Sequence, residues 1–186
     1  GAAGAEAALL AVKGWPFFDK HETTLAYLSV VGRKRSYEIP AMEHPLEARF
    51  GEMVKLLGYD LGVEGQSKLP YRIEPGEVIH LTLYWQALAP MDESYMVFTH
   101  LLDGEGRIRG QKDNLPGNGA WPTNSWAVGE VIRDEYDIPV GAGAPRGDYV
   151  IAVGLYLAES GRLPASGPKG PLPRDRVILG EGSLKR

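Results

Sequence analysis

Residues 77–85 alternate. Ile79, Leu81, Leu83 and Trp85 leave one side of an extended chain, and His80, Thr82, Tyr84 and Gln86 leave the other. A period of two is the mark of a half-buried β-strand, because successive side chains point to opposite faces of the pleat. Pro75-Gly76 supplies a turn before this run, and Pro90 with Asp92 a break after it. A second β-rich run covers residues 95–102. Asp103-Gly104-Glu105-Gly106 then reads as a tight reversal into residues 107–111, a hairpin. These three strands are expected side by side in one antiparallel sheet.

The same reading extends along the chain. Residues 1–14 are Ala-rich, the start of a short helix or a loosely packed stub, and the aromatic cluster 15–18 is expected to dock on a domain edge. Residues 23–31 read as a strand, 32–35 as a basic turn and 36–39 as the returning strand. The proline-punctuated stretch 40–47 is the best internal boundary. It separates an N-terminal extension or pair of edge strands (1–40) from the main domain (41–186). Residues 50–61 form a strand that is apolar on both faces at 54–57, with Gly58 marking a bulge or a close backbone approach. A polar loop (62–68) leads to a short strand at 69–73.

Residues 112–128 hold Pro116, Gly117, Gly119 and Pro122 and read as irregular. Residues 129–140 form a strand with Ile132, Tyr136, Ile138 and Val140 in one phase and Arg133, Glu135 and Asp137 in the other. Asp134 falls on the apolar phase. Residues 149–157 are the last long strand, where Ala152 and Gly154 leave room for a close neighbour. Residues 161–173 read as loop, 176–179 as a closing strand and 183–186 as a tail. About eight or nine strands result, and the expected fold is all-β: an antiparallel β-sandwich, jelly-roll or immunoglobulin-like.

Composition narrows the function classes. The chain has 186 residues, 44% apolar and 24% charged, enough to bury a substantial core in one domain. A net charge of −4 disfavours a nucleic-acid partner. There is no cysteine, so disulfides and thiolate metal sites are excluded. No run reaches the roughly 18 apolar residues of a membrane helix, and no secretory signal pattern is seen.

Catalytic signatures are missing from the sequence. His21, His44, His80 and His100 make no HExxH or His-x-His pair, so no metal site is expected. His80 and His100, on strands read as neighbours, could meet as hydrogen-bonding residues of one sheet face. There is no GxSxG, Walker or GxGxxG sequence, and no cofactor is expected. Two suitably spaced carboxylates would suffice for glycoside hydrolysis, but 24 acidic residues make any pair unspecific.

Asp134 is expected to be a hydrogen-bonded structural carboxylate, and His100 a structural polar residue. The candidate ligand-binding residues are Trp121, Trp126, Tyr84, Gln111 and Asp113. Aromatic planes stack on sugar rings, while amides and carboxylates take hydroxyls. The competing reading of both tryptophans is that they lid the core.

Several stretches carry a resemblance. They are Phe50-Gly51 with Leu56-Leu57-Gly58-Tyr59-Asp60; Pro75-Gly76-Glu77 with Leu83-Tyr84-Trp85-Gln86; Val97-Phe98-Thr99-His100-Leu101-Leu102-Asp103; Gln111, Asp113 and Pro116; Pro122-Thr123, Trp126, Gly129-Glu130 and Asp134; and Gly147-Asp148-Tyr149 with Gly154-Leu155-Tyr156. Together, over residues 50–179, they resemble a module at the C-terminal end of multi-spanning bacterial membrane glycosyltransferases of the dolichyl-phosphate-mannose mannosyltransferase type.

The resemblance implies an extracytoplasmic β-sandwich carried beside a membrane enzyme. Catalysis would belong to the membrane-embedded part of the same polypeptide, so no catalytic residue carries over. The expected function is a non-catalytic accessory domain that binds glycan or positions an acceptor. The alternatives are a structural or protein-contact module and, last, a small carboxylate-dependent glycoside hydrolase.

Overall fold

In the computed structural model, which describes residues 34–186, the alternating runs become strands and the Gly/Pro-rich stretches become their connections. In chain order the strands are β1 (His44–Phe50), β2 (Val54–Val63), β3 (Tyr71–Arg72), β4 (Val78–Ala87), β5 (Met96–Leu102), β6 (Ile108–Gln111), β7 (Val131–Pro139), β8 (Asp148–Leu157), β9 (Gly161–Arg162), β10 (Ala165–Gly167), β11 (Gly170–Pro171) and β12 (Val177–Lys185). Three short 3₁₀ turns, Pro116–Gly119, Thr123–Ser125 and Pro173–Asp175, complete the regular structure among the described residues. The expectations for residues 1–33 lie outside the described residues.

The fold is all-β and sandwich-like. One sheet runs β11-β10-β1-β2-β4-β7 and the other β3-β12-β8-β5-β6, with β9 added to the end of β8. Every pairing is antiparallel except that of β3 with β12. The inner faces share one core. Phe50, Leu56, Leu81 and Trp85 come from the first sheet, and Val97, Leu101, Ile151 and Leu155 from the second. Burying a large apolar side chain is worth about 1.5–3 kcal/mol, so this layer dominates the stability of the fold. The Phe50 and Trp85 rings meet edge to face at 5.7 Å. Gly180 in the second sheet donates its N–H to the Tyr59 hydroxyl of the first at 3.1 Å, tying the layers together.

Several sequence expectations need correction. β4 does not share a sheet with β5 and β6. Both of its edges are occupied, by β2 and β7, and the connection through residues 88–95 crosses to the other layer. Residues 40–47 are not merely a connector. β1 begins inside them, and Pro45 is accommodated at an irregularity in the β1–β2 ladder. Residues 36–39 form no strand, although Val131 donates its N–H to the Ser36 carbonyl. The 161–173 stretch contains β9, β10 and β11, because its Gly and Pro residues make a small hairpin on the free edge of β1.

Residues 183–186 are not a tail either. Gly180 and Gly182, both at φ 71°, let β12 skip register, after which Leu184 is fully buried and pairs with Tyr149 and Tyr71. Gly58 does carry both expected features. The β2–β4 register shifts there, and a Cβ would collide with Met42 and the His44 carbonyl.

Candidate functional site

The two outer faces of the sandwich are treated differently. On the first sheet, Leu57, Tyr84 and Val131 form a small second core covered by Met42. Asp60 pins this cover: its Oδ1 accepts from the Glu43 N–H at 2.7 Å, and its Oδ2 accepts from the Tyr84 hydroxyl at 2.6 Å. Tyr84 is therefore buried, and its phenol is pushed above its ordinary pKa, first by burial and then by the bond to Asp60.

The outer face of the second sheet carries a small buried cluster of its own, Phe98, Leu102 and Ala152, with Val150 and Tyr156 packed against it, and partly exposed polar groups at its margin. Strand register sets out its rows. Ile178, Ala152, His100 and Gln111 lie in line across β12, β8, β5 and β6. Val150, Leu102 and Ile108 form the row to one side, and Gly154 with Phe98 the row to the other. Tyr156 follows, flanked by Met96 and Arg162. The face is thus apolar at one end, through Ile108, Leu102 and Val150, and aromatic and charged at the other.

The aromatic end is tightly built. The Phe98 ring lies 4.9 Å from the His100 ring and 6.3 Å from the Tyr156 ring, and the Arg162 guanidinium sits 4.4 Å above it. Gly154 makes this possible: a Cβ there would stand 2.5 Å from the Phe98 ring. Asp113 completes the group. Its Oδ1 and Oδ2 lie 3.2 Å and 3.3 Å from His100 Nε2, so the carboxylate accepts from the Nε2–H of the ring. The charge of Asp113 also adds to burial in raising the Tyr156 phenol above its ordinary pKa. A half-buried carboxylate, a half-buried imidazole, the exposed Gln111 amide and a partly exposed phenol ring therefore lie side by side on this face. Such a set accepts and donates hydrogen bonds beside a flat apolar patch, the chemistry of a polyol with one apolar face.

Trp121 and Trp126 are elsewhere. Trp126 is buried in the main core, and Trp121 packs against that core. The Trp126 indole N–H donates to the Trp121 carbonyl at 2.8 Å, and Gly117, at φ 62°, clears space for the Trp121 ring. Asp134 anchors the same loop. Its Oδ1 accepts from the Gly117 N–H at 2.8 Å, and its Oδ2 accepts from the Tyr136 hydroxyl at 2.7 Å and the Trp85 indole at 3.2 Å. Burial raises its carboxyl pKa, opposed by these three donors. Asp134 is 1% exposed and fully engaged, so no substrate can reach it.

His80 and His100 do not meet, because β4 and β5 belong to different sheets. His80 Nδ1 instead faces Asp137 at 2.7 Å. A concavity of about 280 Å³ lies between the β5–β6 turn and the start of β8, lined by Asp103, Arg107, Arg109, Arg146 and Tyr149. Its charges largely cancel: Arg109 pairs with Asp103 and Arg107 with Glu105, each at 2.7 Å. Among the described residues, no group of three or more His, Asp or Glu side chains could hold a metal ion, and no helix is long and apolar enough to cross a membrane.

Of the seven residues singled out in the sequence, three gather on the open face: His100, Gln111 and Asp113. Tyr84 lies under the cover of the opposite face, and Trp121, Trp126 and Asp134 lie in or against the core. Sequence reasoning missed Phe98, Tyr156 and Arg162. A signal existed: Phe98 and His100 share one phase of β5, while Gly154 and Tyr156 share one phase of β8. No protein-family model matches this chain, and no curated protein or solved structure matches it.

Proposed function

We propose that this chain is a non-catalytic accessory β-sandwich that binds glycan on the outer face of its second sheet. In this reading it works as an extracytoplasmic domain beside a membrane glycosyltransferase, holding glycan acceptor or product near that enzyme. One observation carries the binding part: His100, Asp113, Gln111 and Tyr156 converge at the margin of the outer face of the second sheet, with Gln111 exposed and the others partly exposed. Carboxylate and amide oxygens accept from sugar hydroxyls, the imidazole and amide N–H groups donate, and the phenol ring offers a stacking plane. The membrane context is supported by the sequence resemblance alone.

The test is a glycan array followed by titration of any hit against His100→Ala and Asp113→Ala. Binding that both substitutions weaken supports the face as the site. Binding that neither changes, or no binding by the unaltered chain at millimolar glycan, removes the proposal. The burial of Trp126 and Tyr84 and the packing of Trp121 against the core take those residues out of the binding set and favour the second reading, a structural or protein-contact module.

A further inference from the structure

The rim of the second sheet's outer face holds three guanidinium groups with no carboxylate partner among the described residues. Arg162 stands on Phe98 and donates through Nη1 to the Arg174 carbonyl at 3.0 Å. Arg176 precedes β12 and continues the phase of Ile178, next to Gly154 and Phe98 by register. The turn that joins these arginines is held in an unusual form. Arg174 and Asp175 both have positive φ, 59° and 50°, and neither is glycine. Asp175, the acid within the turn, is directed away: its Oδ1 accepts from the Ala165 N–H at 3.2 Å. None of the three arginines has an ion pair among the described residues.

Four other arginines are paired with carboxylates. Arg107 binds Glu105, Arg109 binds Asp103, and Arg133 binds Glu135. In a chain with 24 acidic residues against 20 basic ones, three like charges gathered without a counter-ion cost electrostatic energy. The cost is visible in Arg176, whose guanidinium is pushed below its ordinary pKa, first by burial and then by the charges of Arg174 and Arg162. Guanidinium forks match the geometry of tetrahedral oxyanions and bind them through paired charge-assisted hydrogen bonds.

We infer that Arg162, Arg174 and Arg176 seat an oxyanion, a phosphate or sulfate monoester, carried by the ligand whose sugar lies along Tyr156 and His100. The inference rests on the reading of this face as a glycan site. The oxyanion offsets the mutual repulsion of the three arginines. Arg162, already stacked on Phe98, joins the anion end of the site to the aromatic end.

The experiment is calorimetric titration of the full 186-residue chain with mannose, mannose 6-phosphate, inorganic phosphate and phosphatidylglycerol vesicles. It is repeated on the Arg162→Gln/Arg174→Gln/Arg176→Gln variant, with arginine Nε–Hε signals followed by NMR in the unaltered chain. Mannose 6-phosphate is expected to bind about tenfold tighter than mannose, with that advantage lost in the triple variant. The arginine signals should shift with the phosphorylated probes only, a readout that holds even if the variant folds poorly.

Equal binding of both sugars, abolished by His100→Ala, overturns the oxyanion seat and leaves the glycan face standing. Arginine shifts with phosphate, together with mannose binding that is indifferent to His100→Ala and Asp113→Ala, keep the seat and sink the glycan reading. Vesicle binding lost in the triple variant, without any response to mannose 6-phosphate, supports the seat and assigns its oxyanion to a lipid headgroup. No arginine shift with any phosphorylated probe or vesicle overturns the inference outright.

Discussion

The loop at residues 112–128 and the outer face of the second sheet hold the same kinds of residue: aromatics, a carboxylate and amide groups. They put them to opposite uses. In the loop, the polar atoms around the two tryptophans are turned inward onto protein. Asp134 takes three protein donors, the Trp126 indole is bonded to the Trp121 carbonyl, and the Thr123 hydroxyl bridges the Glu93 carbonyl and the Tyr95 N–H. On the sheet face, Gln111 is exposed, and His100 and Asp113 meet each other at the surface. Residue type alone does not distinguish a stabilising cluster from a binding one. What distinguishes them is whether hydrogen-bonding capacity is left over for a ligand.

The sharpest way to break this comparison is Trp126→Ala. If the loop is structural, chemical denaturation should show a loss of about 3–5 kcal/mol, the usual cost of emptying a large aromatic site. A nearly unchanged midpoint would put the loop among the binding elements instead.

Asp134→Ala comes next. It strands the Trp85, Tyr136 and Gly117 donors in the core, and a loss of about 3 kcal/mol is expected from the same measurement. The pH dependence sharpens it. The folded carboxyl pKa of Asp134 is raised above the ordinary value, so the folded state holds the proton more tightly than the unfolded chain. Its contribution is therefore most favourable below the ordinary carboxylate range and is lost as pH rises through the folded pKa. Asp103 behaves in the opposite sense. Bonds from the Arg107 N–H and the Arg109 side chain lower its pKa, so its contribution is present above the ordinary value and lost as pH falls through the folded one. Asp134→Asn should remove the first slope and leave the second, as read from melting temperatures across the acid range.

Gly154→Ala probes the open face at smaller cost. The added methyl would lie 2.5 Å from the Phe98 ring and 3.0 Å from the Asp175 carbonyl. Overpacking of this kind costs about 1–3 kcal/mol. The ring should tilt off the sheet, and ring-current shifts at Tyr156 and His100 should change in the NMR spectrum. Unmoved shifts would mean that the platform is not built on that glycine.

The smallest stability effects belong to the candidate ligand contacts. His100→Ala and Asp113→Ala should each cost about 1 kcal/mol of stability, the net worth of one partly buried hydrogen bond. Each should lower glycan affinity by about tenfold, or ~1.4 kcal/mol, by titration. Large destabilisation with unchanged binding would make this pair another structural cluster and erase the contrast with the loop.

Local pattern settled much of this. The period-two alternation of residues 78–87 and 131–139 and the turn chemistry at residues 103–106 define strands and a hairpin by themselves. The all-β class followed, because side chains alternate across a pleat whatever lies nearby. Asp134 on an apolar phase was equally legible, since a carboxylate among inward-facing residues must find donors.

Partnership across the sandwich was not legible. A strand carries no mark of which sheet it joins, so β4 and β5 looked like neighbours until the pairing of β4 with β2 and β7 left it no free edge. The short strands at residues 161–171 and the re-registered end of β12 depend on edges supplied by β1, β3 and β8, contacts remote in sequence. The open face has the same origin. Phe98, Tyr156, Arg162 and Asp113 come from separate segments, and only the register of β5 against β8 and β6 brings them onto one surface.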